Sequence, residues 1–272
     1  MRIIFQFILL IFCITSYAQS STVDTIEVNS KAMNKKIKTV VIIPSSDKNK
    51  NYPVVYLLHG YTGRYDNWIS KMPTLKELSH SFQTIIVCPD GANSWYIDNP
   101  VDSNIRYENF ITKDLIPQID QNYPTIANKE KRAITGLSMG GHGALMLAIR
   151  NNQLFGAASS MSGAVDLLPL LNRYELNKTI GDTITYKNEW KKYSVMQMTD
   201  SIANNQFRMM IDCGINDIFI GSNRALHEKL INRKINHDYI ERNGEHNWSY
   251  WTNALPFHLL FFKKYFDEGK KL

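Results

Sequence analysis

The chain has 272 residues, 44% of them hydrophobic and 21% charged, with a formal net charge of +6. That length holds one large α/β domain or two small ones, and the composition is that of a soluble globular protein. Lys and Arg are scattered and often interleaved with acids, with no basic stripe carrying aromatics, so a nucleic-acid partner is excluded and only a weak attraction to acidic surfaces or polymers is left open.

Residues 1–18 stand apart. Arg2 gives a short positive start, Ile3 to Ile14 is apolar apart from Gln6, and Ser16 and Ala18 are the small residues a signal peptidase reads. The pattern predicts a signal peptide cut between Ala18 and Gln19. The apolar run is too short for a membrane anchor, and Phe12 occupies the place where a lipoprotein needs a small residue before Cys13. A soluble exported protein, periplasmic or secreted, is expected, with residues 19–272 as a single domain.

The predicted elements then follow in order. Residues 22–28 alternate imperfectly as a first strand, and Ile37 to Ile43 is a β-branched run stopped by Pro44. Ser45 to Asn51 is a polar turn. Pro53 to Leu58 is apolar throughout, as a strand buried on both faces must be. It ends in the glycine-flanked loop His59-Gly60-Tyr61-Thr62-Gly63. A short helix over Leu75–His80 and a buried strand over Thr84–Cys88 come next. After the aromatic loop 93–103, Tyr107, Ile111, Leu115 and Ile119 fall four apart on a helix that Pro117 should kink or interrupt.

The next segment carries the chemistry. An apolar strand pattern enters Gly136-Leu137-Ser138-Met139-Gly140, and an Ala/Leu-rich helix leaves it. This is the G-x-S-x-G of a nucleophile elbow in its strand–turn–helix context. A bare match arises by chance in roughly one chain in ten of this size, so context and partners decide. Gly140, Gly141 and Gly143 open the helix, at about 1 kcal/mol each against alanine, which points to close approach of the helix to its neighbouring strands. A phosphate-loop reading fails for want of a G-K-[ST] ending.

Gly156–Ser162 and Phe207–Cys213 read as strands, with 164–206 between them as an insertion of helices and loops. Ser222–Arg233 is an amphipathic helix, His237–Glu241 a last strand, and Trp251–Phe266 a terminal helix. The β/α alternation implies a mostly parallel sheet with helices on both faces.

A serine nucleophile needs a base, and the base needs an orienting acid. The chain supplies Ser138, Asp217 and His246 at successive strand ends, the edge where open α/β sheets build sites. Asp217 has a competing reading as a turn residue or N-cap, and His246 as a surface loop histidine. Asp212 lies inside its strand, His237 at the wrong end of a strand and His258 mid-helix. Backbone N–H groups of Tyr61 and Met139 are placed to hold an oxyanion. His59 reads as structural. Trp95, Tyr96, His142 and Trp248 are candidate substrate contacts, the aromatics serving equally as core. No Cys, His or carboxylate grouping has metal-ligand spacing, and neither metal nor cofactor is expected.

Leu57-Leu58-His59-Gly60, Pro89-Asp90-Gly91 with Ser94-Trp95-Tyr96, the elbow, Asp212-Cys213-Gly214 with Asp217, and Gly244-Glu245-His246-Asn247-Trp248 together resemble the esterase D, feruloyl esterase and tributyrin esterase group. The antigen 85 acyltransferases are more distant. The likeness spans residues 30–262. It implies an α/β-hydrolase fold of about eight strands, without a large separate lid, and the same triad and oxyanion residues. It also makes 164–206 the segment that sets specificity. In that fold three strands would separate those of Cys88 and Cys213, about 19 Å at ~4.8 Å per strand step. A disulfide tolerates about 7 Å between Cα atoms, so two free thiols are expected despite export.

The leading expectation is an exported serine carboxylic-ester hydrolase acting on a small-molecule or carbohydrate ester, with acetyl or feruloyl groups implied by the resemblance. An acyltransferase on the same triad and a non-catalytic carbohydrate- or partner-binding module are the alternatives. A cytoplasmic S-formylglutathione hydrolase role conflicts with the leader.

Overall fold

The computed structural model describes residues 21–44 and 50–268. The leader expected over 1–18, and residues 45–49 of the expected polar turn, lie outside the described residues.

Eight strands form one sheet: β1 (Thr22–Ser30), β2 (Lys35–Ile43), β3 (Val54–Leu58), β4 (Ile85–Pro89), β5 (Arg132–Gly136), β6 (Ala157–Met161), β7 (Arg208–Gly214) and β8 (Asp238–Arg242). Their order is β1-β2-β4-β3-β5-β6-β7-β8. The hairpin β1–β2 and the β2–β4 pairing are antiparallel, and every pairing from β4 to β8 is parallel. Parallel neighbours require crossovers, and the helices supply them.

Alternate residues of β3 serve opposite faces. Val54, Tyr56 and Leu58 join a core with Phe110, Ile111, Leu145 and Leu226. Val55 and Leu57 join a second core with Trp68, Leu75, Leu255 and Phe262. The second face is covered by α1 (Asn67–Lys71), α2 (Leu75–Phe82) and the last helix; burial on both sides explains the unbroken apolar runs.

The stripe of Tyr107, Ile111, Leu115 and Ile119 is buried as its spacing requires. Around Pro117 the helix changes pitch. It runs as α3 (Tyr107–Asn109), a π-helical stretch (Phe110–Leu115) and α4 (Ile116–Asn122), with Pro117 in the first turn of α4. The wider turn ahead of the prolyl ring accommodates the missing N–H donor without ending the helix.

The elbow helix is α5 (Met139–Arg150). Residues 164–206 hold no strand. They fold as α6 (Leu176–Thr179), α7 (Lys187–Tyr193), α8 (Val195–Met198) and short 3₁₀ turns, packed through Trp190, Tyr193 and Leu176 onto the core beside α5. Helices α9 (Ile220–Asn232) and α10 (Trp248–Glu268) complete the chain. Cys88 and Cys213 are free and buried, on β4 and β7, with three strands between them.

Buried histidines bear on stability. Burial pushes His142 down to about 4 and, aided by the Arg242 charge, His258 down to about 3. Both are neutral when folded, while the unfolded chain takes up protons below about pH 6.5, so stability is full above that pH and falls as pH drops toward 4. For His142 the loss at pH 5 is about 2 kcal/mol. Thermal melts from pH 7 to pH 5 should show the melting temperature falling by several degrees, and His142→Gln should flatten that slope; an unchanged slope in the variant would remove His142 from the account.

Candidate active site

The site begins where β5 ends. Ser138 adopts φ +54° and ψ −117°, a backbone region that costs a side-chain-bearing residue about 1–3 kcal/mol. Its surroundings fix it there. The Ser138 N–H donates to the Met161 carbonyl at 2.9 Å, and its carbonyl accepts from the His142 N–H at 3.0 Å. A Cβ on Gly140 would lie 2.5 Å from the His59 oxygen and 2.7 Å from the Leu58 oxygen. On Gly141 it would meet the Ser160 hydroxyl, and on Gly143 the Tyr96 ring. The glycines thus let α5 dock directly on β3 and its neighbours.

Ser138 faces His246 across the sheet edge. The histidine Nε2 is 2.9 Å from Ser138 Oγ, and Nδ1 is 2.9 and 3.0 Å from the two Asp217 oxygens. A carboxylate only accepts, so Nδ1 carries the ring proton and Nε2 is left to accept from the Ser138 hydroxyl. Asp217 is buried, and its Oδ1 also accepts the Phe219 N–H at 2.8 Å. The imidazole sits between Phe219 and Trp251, each edge-to-face with centroids 5.0 Å away.

The loops carrying acid and histidine are clasped by main chain. Ile215 N–H donates to Arg242 O at 2.8 Å and Asn216 N–H to Gly244 O at 3.0 Å. Gly214 allows this contact, because a Cβ there would lie 2.4 Å from the Gly244 oxygen.

On the other side, Gly60 packs against Leu137 and Ser138, and Tyr61 lines the same cleft as the serine. The Tyr61 and Met139 amides donate to no main-chain acceptor among the described residues. His59 is structural. Its Nε2 accepts the Gly91 N–H at 2.8 Å, its Nδ1–H donates to Gly60 O at 2.8 Å, and burial lowers its pKa.

A cleft of about 490 Å³ opens over Ser138 and His246. Trp95 and Trp248 line it as expected. Tyr96 and His142, expected as substrate contacts, are instead buried behind its wall. Trp95 and Tyr96 have successive left-handed φ values of +57° and +59°, and only the first reaches the cleft. The Tyr96 hydroxyl donates to His59 O at 3.0 Å. His142 Nε2–H donates to Tyr193 O at 2.8 Å, and its ring backs Trp95 at 5.6 Å. Tyr174, Phe219, Trp251 and Asn67 also line the cleft without having been singled out from the sequence. Phe219 was signalled by its place two residues after Asp217; Tyr174, within the insertion, carried no signal.

Among the described residues no group of three His, Cys, Asp or Glu side chains is arranged to hold a metal ion.

The sheet order, the strained serine and the loops around it define an α/β-hydrolase. The chain belongs to the Esterase family, whose profile matches residues 30–262, and it is a carboxylic ester hydrolase. It is 26% identical over 256 residues to an acetyl esterase of Caldicellulosiruptor saccharolyticus, covering 83% of this chain and 92% of that one. It is 25% identical over 267 residues to the S-formylglutathione hydrolase of Bos taurus, covering 89% and 93%. A solved ferulic acid esterase superposes with a TM-score of 0.77 at 28% identity, covering 90% of this chain and 99% of that one.

The glycine contacts give a paired stability test. Gly140→Ala should cost more than about 3 kcal/mol or prevent folding, because its Cβ meets main-chain atoms. Gly221→Ala in α9, where a Cβ meets nothing within 4 Å, should be neutral or stabilise by up to about 1 kcal/mol. Denaturant melts of both variants decide it; a Gly140→Ala protein as stable as its parent would refute the packing account.

Proposed function

We propose that this protein is an exported serine esterase using Ser138 as nucleophile, His246 as general base and acid, and Asp217 as the group that orients His246. The observation that carries this reading is the hydrogen-bonded line from Ser138 Oγ through His246 to Asp217 at the floor of the cleft.

In the first half-reaction Ser138 Oγ attacks the ester carbonyl carbon as its proton passes to His246 Nε2. The carbonyl oxygen becomes an oxyanion held by the Tyr61 and Met139 N–H groups. The tetrahedral species collapses, the alcohol leaves with the proton from His246, and the acyl group stays on Ser138. Water, deprotonated by His246, then attacks the acyl-enzyme and releases the acid. Asp217 keeps Nδ1 protonated and steadies the imidazolium formed in each half.

The substrate is a short-chain acyl ester, acetyl in particular, or a feruloyl ester, on a small or carbohydrate alcohol. An aromatic cleft of about 490 Å³ with Trp95, Tyr174 and Trp248 supports a flat or compact acyl group. The names of the acetyl esterase and ferulic acid esterase relatives point the same way. Export is supported by the leader pattern of Arg2, the apolar run to Ile14, and Ser16 and Ala18.

Ser138→Ala should abolish p-nitrophenyl acetate turnover above background while leaving the thermal melt intact; wild-type activity would exclude Ser138. Asp217→Asn should lower kcat on the order of 10³- to 10⁴-fold. A panel of acetyl, butyryl and feruloyl esters on small and polysaccharide alcohols, read by mass spectrometry, should yield free acid, whereas transfer of the acyl group to a sugar would make the protein an acyltransferase. Sequencing the exported protein should give a new N-terminus at Gln19.

A further inference from the structure

We infer that Asp212 is a positioning residue that holds both ends of the loop carrying His246, and so sets the base against Ser138. The inference rests on the catalytic roles proposed above. Asp212 is fully buried on β7, five positions before Asp217 on the same run of chain. A buried carboxylate must be partnered, and its two oxygens have different partners. Oδ2 accepts from the Arg242 guanidinium, and Oδ1 accepts from the Tyr250 hydroxyl. Arg242 is the last residue of β8, and Tyr250 lies in the first turn of α10. Residues 243–249, with His246 at their centre, therefore leave from one donor to this carboxylate and return at the other.

The local packing fits that role. The Tyr250 ring lies against Gly244, where a Cβ would meet it at 2.3 Å and where φ is +149°. The Asn247 side chain accepts the Tyr250 N–H at 3.1 Å, which fixes the start of α10 directly after His246. His258 Nε2 also lies 3.5 Å from Oδ2, and the His258 Nδ1 is bonded to Ser159 Oγ at 2.7 Å. Asp212 has no hydrogen bond to Ser138, Asp217 or His246, so any effect on chemistry must pass through the loop.

Net stability is a poor explanation for this cluster. A buried ion pair contributes little over well-packed apolar side chains, because desolvation offsets the attraction. What the cluster does supply is geometry. One rigid strand carries both the carboxylate that orients the imidazole and the carboxylate that anchors its loop. A misplacement of about 1 Å at a reacting group can cost on the order of 100-fold in rate.

The test is a double-mutant cycle on p-nitrophenyl acetate with Tyr250→Phe, Asp212→Asn and His246→Ala. Tyr250→Phe should fold normally and lower kcat about 10-fold with KM within twofold of the parent. Asp212→Asn should lower kcat about 100-fold. Neither should lower the residual rate further once His246→Ala is present, because a residue acting through His246 has nothing left to position. Wild-type kcat in Tyr250→Phe, or equal fold-losses with and without His246, would overturn the inference. If Asp212→Asn does not fold, Tyr250→Phe decides alone. Full activity in His246→Ala would remove the catalytic reading itself, and the positioning role with it.

Discussion

A Cβ on Gly140 would lie 2.5 Å from the His59 carbonyl oxygen, so α5 reaches β3 only because residue 140 has none. That contact forces the chain to turn sharply between β5 and α5 and leaves Ser138 at φ +54° at the apex. It also brings the loop after β3 beside the serine, since Gly60 packs on Leu137 and Ser138. The loop after β4 joins through Tyr96, whose hydroxyl bonds His59 O and whose ring fills the space left by Gly143. Three parallel strands thus deliver their loops to one point because a handful of backbone atoms touch.

The far side of the site depends on a second close approach. Gly214 and Gly244 let the loops after β7 and β8 share main-chain hydrogen bonds, and these set Asp217 against His246. Behind them lies the buried carboxylate of Asp212 with Arg242 and Tyr250. The two halves meet at the Ser138–His246 hydrogen bond and in the edge-to-face contact of Trp68 with Trp248. The strained serine and the edge-on packing of Phe219 and Trp251 around the imidazole serve the first of these junctions.

Much of this was legible in the sequence, for identifiable reasons. The inner parallel strands are buried on both faces, so they appear as largely apolar runs that stop at glycine or proline. The elbow and the acid each follow such a run, the histidine follows the half-exposed edge strand β8, and the structure brings the three side chains within hydrogen-bond distance. The side chains behind the cleft wall were less legible. Trp95 and Tyr96 are adjacent aromatics in one loop, and only two successive left-handed residues send the first to the cleft and the second to the core. His142 stands one helical turn from Ser138, yet it turns to the Tyr193 carbonyl of the insertion, a contact far away in sequence. Asp212 reads from the sequence as a poorer candidate for the triad acid, inside its strand, and its partners Arg242 and Tyr250 belong to a strand and a helix that only the fold brings near. The insertion contributes Tyr174 to the cleft from a segment with no periodic pattern, so the insertion was legible as a segment and its contribution to the cleft was not.

The central claim is that Ser138, activated by His246, forms the covalent acyl intermediate. Labelling the native protein with a fluorophosphonate and mapping the adduct by peptide mass spectrometry tests it most directly. The account predicts one stoichiometric adduct, on Ser138, with ester hydrolysis lost in proportion to labelling. An adduct on another residue, or full labelling of Ser138 with hydrolysis intact, would contradict it.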